Sequence, residues 1–331
     1  MKALRNLVLA AAALLAACSP GKKDEAAPAA NAPTTIRFAT DWRAQAEHGG
    51  FYQALASGEY ARRGLKVEIV QGGPGVNVPQ LLASNAVDLG MGSNSFIVMN
   101  LAQQGVPVRA VAAFMQKDPQ VLLAHPGTGV EKIADLKGHP ILLSDASVTA
   151  FWVWLKAKYG FTDDQVRKYT FNAAPFLADT RAAQQGYLTS EPYTIEKQAG
   201  LKPKVFLLAD EGYPGYATMV LATEGLIAKN PAAVQAFVDA SAKGWRDYLT
   251  GDPTAADALI RKDNPEMTQD VLDQAREKMR AYRIVEGDEG AAIGSMSDAR
   301  WKAFFDMAAA QGVYPKTLDY KRAYTLQFAP K

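Results

Sequence analysis

The chain of 331 residues has a single cysteine, Cys18, and only three histidines, His48, His125 and His139. Since the rest of the chain contains no other cysteine, it can form neither a disulfide nor a thiolate metal site. The histidines are far apart and lack the spacing of metal ligands. We therefore expect no metal site and no cofactor.

Neither sign of charge is in excess. The chain carries 36 basic and 34 acidic residues, a net charge of +2, which gives no sign of a nucleic-acid-binding surface. After the N-terminal segment, no apolar run approaches the roughly 20 residues that a membrane-spanning helix needs. The composition is 48% hydrophobic and 21% charged. This balance is typical of a globular protein, here long enough for two lobes.

Residues 1–17 have the pattern of a bacterial export signal. Lys2 and Arg5 precede an apolar run, 7–17, that is too short to span a bilayer. The run ends in Leu-Ala-Ala-Cys, which resembles the lipobox of bacterial lipoproteins, where the cysteine is lipid-modified and becomes the new N-terminus. Lipidation of Cys18 would explain the solitary thiol. An ordinary signal peptide with an incidental cysteine is the alternative.

Residues 18–33 contain no large apolar side chain, and they predict a flexible tether between the anchor and a folded body. The expected location is the periplasm, with the protein anchored to a membrane through Cys18. Ser19 follows the cysteine and leaves the choice between inner and outer membrane open.

Strand-like and helix-like runs alternate from residue 36 onward, which is the rhythm of an α/β protein. The alternation restarts after Asp118-Pro119. Beyond residue 215 one more strand is followed by helical patterns over 231–249, 254–261, 268–282 and 297–311. We therefore predict a first lobe formed by 34–118 together with 215–331, and a second lobe formed by 119–214.

The stretch 41–52 joins the first strand to the first helix. In open α/β sheets, ligands bind where strands end and helices begin. Asp41, Trp42, His48 and Tyr52 are therefore candidate ligand-binding residues. In the alternative interpretation, Trp42 is a core residue and His48 a surface residue.

Further candidates lie at the ends of later strands. Ser93 or Ser95 is expected to cap the following helix, which leaves Asn94 free for a ligand. Glu191 and Tyr193 flank a proline that opens a helix, although a solvated glutamate is equally consistent with this position. The full set adds Asn94, Gln116, Phe151, Trp152, Glu191 and Tyr193.

Several short motifs identify a resemblance. They are Asp41-Trp42, His-Gly-Gly-Phe-Tyr-Gln-Ala at 48–54, the segment 58–69 followed by Gly-Gly-Pro-Gly, Asp88-Leu89-Gly90 and Leu136-Lys137-Gly138. With them the chain resembles the solute-binding proteins of bacterial ABC importers, in the group that handles sulfonates, nitrate, taurine and thiamine-precursor pyrimidines. The resemblance covers about 34–250 well and the helical tail loosely. Asp41-Trp42 and Glu191-Pro192-Tyr193 favour the pyrimidine-binding branch.

The resemblance implies a two-lobed periplasmic binding protein of type II, the Venus flytrap. Each lobe would hold a mainly parallel sheet flanked by helices, and the C-terminal tail would be helical. The ligand would be a small aromatic heterocycle, first of all a thiamine-precursor pyrimidine, held between the lobes. The aromatic candidates would stack on its ring, and the carboxylates and amides would bind its polar edge. The expected partners are an ABC permease and its ATPase, and the folded body is expected to be monomeric.

Three alternatives remain. A sulfonate, nitrate or taurine ligand would favour a basic residue such as Arg43, but Asp41 and Glu47 lie close to it in sequence. Riboflavin is a nearer alternative. The same fold family includes a eukaryotic pyrimidine-synthesising enzyme with a cysteine-rich motif. Here 72–75 contains no cysteine and no nucleophile–base pair stands out, so we predict no catalytic residues and no enzyme.

Overall fold

The computed structural model describes residues 32–73, 75–287 and 290–330. The predicted signal peptide at 1–17, the lipidation site Cys18 and most of the tether at 18–33 lie outside the described residues. Within the described ranges, every helix is too short or too polar to cross a membrane.

Two five-stranded sheets form the centre of the described chain. The first sheet has the order β2-β1-β3-β10-β4 and the second has the order β7-β6-β8-β5-β9. We call each sheet, with the helices packed on it, the first lobe and the second lobe. The strands are β1 Thr34–Ala39, β2 Leu65–Val70, β3 Leu89–Gly92, β4 Val108–Met115, β5 Gln120–Ala124, β6 Ile141–Leu143, β7 Val166–Lys168, β8 Ala183–Tyr187, β9 Lys204–Leu207 and β10 Ala217–Thr223.

Each sheet is mainly parallel, as the resemblance implies, with four strands in one direction and one reversed strand. In the first lobe, β1 pairs in parallel with β2 and β3, whereas β10 is antiparallel to both β3 and β4. In the second lobe, β5 is antiparallel to β8 and β9. The reason is that β10 and β5 are the first strands after the chain passes from one lobe to the other, so each enters its sheet from the opposite end.

The helices flank the sheets and form the C-terminal tail. They are α1 Gly49–Ala56, α2 Glu59–Arg62, α3 Val78–Ala83, α4 Ser95–Gln103, α5 Asp145–Val148, α6 Phe151–Tyr159, α7 Ala174–Ala178, α8 Glu191–Ala199, α9 Glu224–Lys229, α10 Pro231–Thr250, α11 Thr254–Asp263, α12 Gln269–Ala281 and α13 Asp298–Ala310. The helical run after the first loop is divided into α1 and α2 at Gly58, which has a φ of 74°. Glycine adopts this left-handed conformation without steric cost, and the helix cannot continue through it.

The glycines at the start of α1 bring it close to the long helix α10. A side chain on Gly49 would collide with the ring of Tyr248, and one on Gly50 with the ring of Trp245. Gly244 approaches the carbonyl of Gly50 from the other side. The His-Gly-Gly motif therefore fixes where α1 begins, and with it the position of the loop that precedes the helix.

Two segments, 116–119 and 208–216, connect the lobes. The guanidinium of Arg300 on α13 lies across both, since it donates hydrogen bonds to the carbonyls of Gln116 and Gly215 and, at 3.0 Å, to that of Pro214. It also lies 4.2 Å from the ring centre of Tyr216. Arg300 thus holds the two connections together at the hinge.

Candidate functional site

The loop after β1 carries a buried histidine beside a carboxylate. His48 has no exposed surface, and its Nε2 lies 3.4 Å from Oδ1 of Asp41. Neither ring nitrogen of His48 nor Oδ1 of Asp41 has a hydrogen-bond partner among the described residues. Buried polar groups are nearly always hydrogen-bonded, so these atoms are suited to a ligand or a bound water.

Side chains behind this loop hold it in place. The backbone N–H of Ala44 donates to Oε1 of Gln71 at 3.0 Å, and the Asn264 amide donates to the Ala44 carbonyl at 2.8 Å. Tyr52, a predicted ligand-binding residue, is buried and donates to Oδ2 of Asp263 at 2.8 Å. The structure thus places Tyr52 in the support of the loop, with its hydroxyl already engaged.

The second lobe contributes a tight turn between β8 and α8. The Glu191 side chain folds back over this turn, where Oε2 accepts the N–H of Tyr187 at 2.7 Å. Oε1 accepts the hydroxyl of Tyr169 at 3.3 Å. Gly186 makes room for this arrangement, because a side chain there would lie 2.9 Å from Cβ of Glu191. Glu191 is therefore held in one orientation at the opening of α8.

The same turn contacts the first lobe. The hydroxyl of Thr189 donates a hydrogen bond to Oε1 of Glu47, and both side chains are buried. The amide of Gln274 on α12 donates to the Thr189 carbonyl at 2.6 Å. Thr189 thus links the second lobe to two elements of the first lobe, through its hydroxyl and its carbonyl. These contacts correspond to a closed cleft.

A second set of contacts closes the cleft nearer the surface. Tyr193 donates its hydroxyl to Oδ2 of Asp270 on α12, and Lys197 lies 2.6 Å from the same oxygen. The sequence predicts Tyr193 as a ligand-binding residue. In the structure its hydroxyl takes part in a contact between α8 and α12, and its role in ligand binding stays a prediction.

An aromatic contact also crosses the cleft. The ring centres of Trp42 and Phe171 lie 5.2 Å apart at an angle of 42°. Phe171 in turn lies 5.3 Å from the ring of Tyr169 in its own lobe. Trp42 is partly exposed beside the loop, so it offers ring surface to the cleft.

The charges of four carboxylates act on the phenol of Tyr187. Burial raises its pKa well above the usual range, and the negative charges of Asp118, Asp41, Glu47 and Glu191 raise it further. The cleft is therefore strongly acceptor-rich and acidic on this side. Such a site favours hydrogen-bond donors or positive charge and disfavours anions.

The buried carboxyls of this group have perturbed acidities. Burial raises the pKa of Glu47, although the hydrogen bond from Thr189 opposes the effect. Burial also raises the pKa of Glu191, and the charge of Glu47 adds to this. Burial raises the pKa of Asp118 to about 7, against the opposing effects of the Gln120 N–H and the charge of Arg300. These groups ionise less readily in the closed cleft than in water.

The remaining predicted residues are engaged elsewhere. Asn94 caps α4, since its Oδ1 accepts the N–H of Phe96 at 3.0 Å; this corrects the expectation that Ser93 or Ser95 is the cap. The Gln116 amide donates to the backbone carbonyls of Ala113 and Ser295. These bonds leave Nδ2 of Asn94 and Oε1 of Gln116 as their remaining polar atoms.

Phe151 and Trp152 lie in the packed interior at the start of α6. Both are almost completely buried, and the indole N–H of Trp152 donates to Oδ1 of Asp163 at 2.8 Å. Their rings are thus committed to packing in this closed structure. Aromatic residues at helical spacing are as typical of a core as of a binding site, which is why the sequence could not distinguish the two.

Sequence reasoning missed several residues that face the cleft. None of Asp118, Thr189, Phe171 and Tyr187 is predicted from the sequence as a ligand-binding residue, and Glu47 serves there only as an argument against an anion. The turn signal after β8 could have drawn attention to Thr189. No pattern in the sequence marks Phe171, because its contact with Trp42 joins residues from different lobes.

Outside this cleft, the described residues include a cavity whose buried arginine is already paired, and they contain no metal-binding cluster. A cavity of about 600 Å³ lies beside α12 and the end of α10, where the buried Arg276 is already paired with Asp257 at 2.7 Å. No group of three or more potential metal-ligating side chains occurs in 32–73, 75–287 and 290–330.

The family model described as "NMT1/THI5 like" matches residues 45–256, which is more than half of the chain. The chain belongs to the NMT1/THI5-like family. Among its relatives, this NMT1/THI5-like protein is 27% identical to the riboflavin-binding protein RibY of Chloroflexus aurantiacus, over 96% of this chain and 95% of RibY. It is 23% identical to the formylaminopyrimidine-binding protein of Halalkalibacterium halodurans, over 74% and 75% of the two chains.

Solved structures confirm the fold of the NMT1/THI5-like chain as that of periplasmic binding proteins. The periplasmic aliphatic sulphonate binding protein SsuA from Escherichia coli superposes with a TM-score of 0.68 at 16% identity, covering 88% of this chain and 92% of SsuA. A shorter match of 106 residues, 28% identical, links the chain to the 4-amino-5-hydroxymethyl-2-methylpyrimidine phosphate synthase of Schizosaccharomyces pombe, over 32% and 30% of the two chains. The proteins that this chain resembles therefore include both binding proteins and an enzyme.

Proposed function

We propose that the protein is the substrate-binding component of an ABC importer and captures a flat nitrogen heterocycle in the cleft between its lobes. The observation that carries the proposal is the pairing of a partly exposed aromatic surface, Trp42, with carboxylates from both lobes, Glu47 and Glu191. Sites for small ring compounds are mostly apolar with a few fixed polar groups that orient the ligand.

An aminopyrimidine of the thiamine-precursor type is the first candidate. Its ring stacks on Trp42, and its amino group donates hydrogen bonds to Glu191 and Asp41. The unpartnered nitrogens of His48 then meet ring nitrogens or a hydroxyl. The relative that binds formylaminopyrimidine supports this assignment.

Riboflavin is the second candidate, because the riboflavin-binding relative matches nearly the whole chain. Its isoalloxazine ring also stacks on Trp42, and its imide N–H and ribityl hydroxyls supply donors to the carboxylates. Sulfonates, taurine and nitrate are disfavoured, because the carboxylates of Glu47 and Glu191 are held at the same turn of the cleft and would repel an anion.

Binding is proposed in preference to catalysis. The described cleft contains no cysteine, and His48 faces a carboxylate at 3.4 Å without a hydroxyl or thiol nucleophile bonded to it. Closure between the lobes through Thr189 and Tyr193 is the motion expected of a protein that captures a ligand and releases it to a permease.

The proposal is tested by thermal denaturation of the folded body with hydroxymethylpyrimidine, formylaminopyrimidine, riboflavin, taurine and nitrate. A ligand that binds only the folded state raises the melting temperature by mass action. One ring compound should stabilise the wild type, and its effect should be lost in Trp42→Ala while the ligand-free melting temperature stays the same. Stabilisation by the anions alone would overturn the proposal.

The lipid anchor belongs to the same proposal and rests on the sequence around Cys18. Lipidation would keep the binding protein at the membrane that holds its permease. Incorporation of radiolabelled palmitate into the wild-type protein, and its loss in Cys18→Ala, tests this; labelling that persists in Cys18→Ala would refute it.

A further inference from the structure

Phe171 has an unusual position for a large aromatic residue. Its side chain is 57% exposed, one of four large hydrophobic side chains among the described residues that are exposed. Its backbone φ is 60°, in the left-handed region that residues with a Cβ rarely adopt. The segment after β7 thus exposes an apolar ring to water and holds its backbone in a strained conformation. Both features are unfavourable for stability, which points to a role beyond packing.

The contacts of Phe171 connect the two walls of the cleft. Its ring meets Trp42 of the first lobe at 5.2 Å and Tyr169 of its own lobe at 5.3 Å. The hydroxyl of Tyr169 in turn donates to Glu191 at 3.3 Å. Phe171 therefore lies at the outer end of a row of side chains that leads from the carboxylate to the aromatic surface.

The separation of the two rings limits where a ligand can lie. Stacked rings are separated by roughly 3.5 Å, so a ring inserted between Trp42 and Phe171 would require about 7 Å between their centres. At 5.2 Å the two rings touch each other directly. In this closed structure Phe171 is thus a cover over the edge of Trp42, and a bound ring must lie on the inner side of the pair.

We propose that Phe171 closes the mouth of the cleft over the ring bound against Trp42 and sets how slowly that ring escapes. The inference rests on the proposed function only in taking the ligand to be a flat ring. Because the contact forms on closure, it acts on dissociation and leaves the encounter with the open cleft unchanged.

The kinetic test follows dissociation of 4-amino-5-hydroxymethyl-2-methylpyrimidine and of riboflavin by stopped-flow tryptophan fluorescence. For the compound that binds, Phe171→Ala should speed dissociation roughly two- to tenfold, the range of an aromatic pair, with the association rate within about twofold of wild type. Phe171→Tyr keeps the ring and should dissociate like the wild type. Leu326→Ala, another exposed apolar residue, is the matched control and should change nothing. An unchanged dissociation rate in Phe171→Ala would overturn the inference.

A variant that relieves the backbone strain guards against a folding artefact. Glycine adopts a φ of 60° without cost, so Phe171→Gly should melt no lower than wild type without ligand and still dissociate faster. If Phe171→Gly melted well below the wild type, the ring would be a structural element and the proposal would fall.

A ligand-free measurement separates this inference from the proposed function. Quenching of fluorescence by acrylamide, taken as the difference between each protein and its Trp42→Phe counterpart, reports exposure of Trp42. Phe171→Ala should increase that exposure. If it does while no ring compound binds, the contact stands and the proposed function falls. If a ring compound binds but neither quenching nor dissociation changes, the function stands and the role of Phe171 falls.

Discussion

The hydroxyl of Thr189 donates a hydrogen bond to Glu47 across the cleft, although 142 residues separate them in the chain. Both side chains are buried, so the bond forms only when the lobes are closed. On closure, the Glu47 carboxylate therefore loses its contact with water, and the Thr189 hydroxyl compensates for this loss by donating a hydrogen bond. A ligand that adds further donors beside Glu47 lowers the cost of that step.

Thr189→Val should weaken ligand binding, because it keeps the shape of the side chain and removes the donor to Glu47. A hydrogen bond to a buried charged group contributes about 1.5–3 kcal/mol, which corresponds to roughly a 10- to 150-fold loss of affinity. Isothermal titration of the compound that binds the wild type measures this. Thr128→Val is the control, since the Thr128 hydroxyl bonds the His125 carbonyl within the second lobe. Equal losses in both variants would contradict the role of Thr189.

Glu191→Gln should lower affinity for a donor-bearing ring without lowering the stability of the ligand-free protein. The amide keeps an oxygen for the Tyr187 N–H but replaces the other oxygen, an acceptor for the proposed ring, with an NH₂ donor. Burial raises the pKa of Glu191, so the charged form is disfavoured in the folded state and the cost grows as the pH rises above its unfolded pKa. Ligand-free Glu191→Gln should therefore melt at or above wild type at pH 8. A large loss of stability would instead make Glu191 a structural residue.

Asp118 should make stability depend on pH near neutrality. Burial raises the pKa of Asp118 from its ordinary 3.8 to about 7 in the folded protein, so between these values the folded state holds more protons than the unfolded state. Stability therefore falls as the pH rises from about 4 to about 7 and then levels off. In Asp118→Asn this contribution disappears.

Urea unfolding of wild type and Asp118→Asn between pH 5 and 8 measures the contribution of Asp118. The slope against pH should be smaller in the variant; Glu47 and Glu191, whose pKa values shift in the same direction, account for the slope that remains. Parallel curves for the two proteins would show that Asp118 ionises normally.

Arg300→Lys should destabilise the fold by roughly 1–3 kcal/mol, because lysine cannot reproduce the planar fork that meets three carbonyls of the two connections. Lys302→Ala on the same helix is the control, since Lys302 forms an exposed ion pair with Asp306 four residues on. Urea denaturation at pH 7 should distinguish the two variants clearly. Similar stabilities would contradict the hinge role of Arg300.

The sequence predicted the two-lobed α/β fold because strand and helix periodicities are local properties. It could not predict that β10 and β5 run antiparallel to their neighbours, since that follows from the path between the lobes. In the site, Trp42, His48 and Glu191 lie at strand ends, where general rules for open sheets apply. Their role in ligand binding stays a prediction.

The rest of the site depends on contacts between residues that are far apart in the sequence. Glu47 meets Thr189, and Trp42 meets Phe171, only after both lobes have folded and approached each other. Tyr52 and Tyr193 illustrate the converse, because their residue type suits a binding site but their hydroxyls are engaged by Asp263 and Asp270. The role of Tyr52 and Tyr193 in ligand binding, like that of the other candidates, stays a prediction.

Carboxylates from both lobes are proposed to recognise the donors of a flat nitrogen heterocycle. This proposal is tested most directly by isothermal titration of the wild-type folded body with 4-amino-5-hydroxymethyl-2-methylpyrimidine, its analogue without the 4-amino group, riboflavin, taurine and nitrate. A ring compound should bind. If it is the aminopyrimidine, loss of the amino group should weaken binding by roughly 10- to 100-fold, since a buried acceptor is left unpaired. Binding of taurine or nitrate with no binding of either ring compound would contradict this proposal.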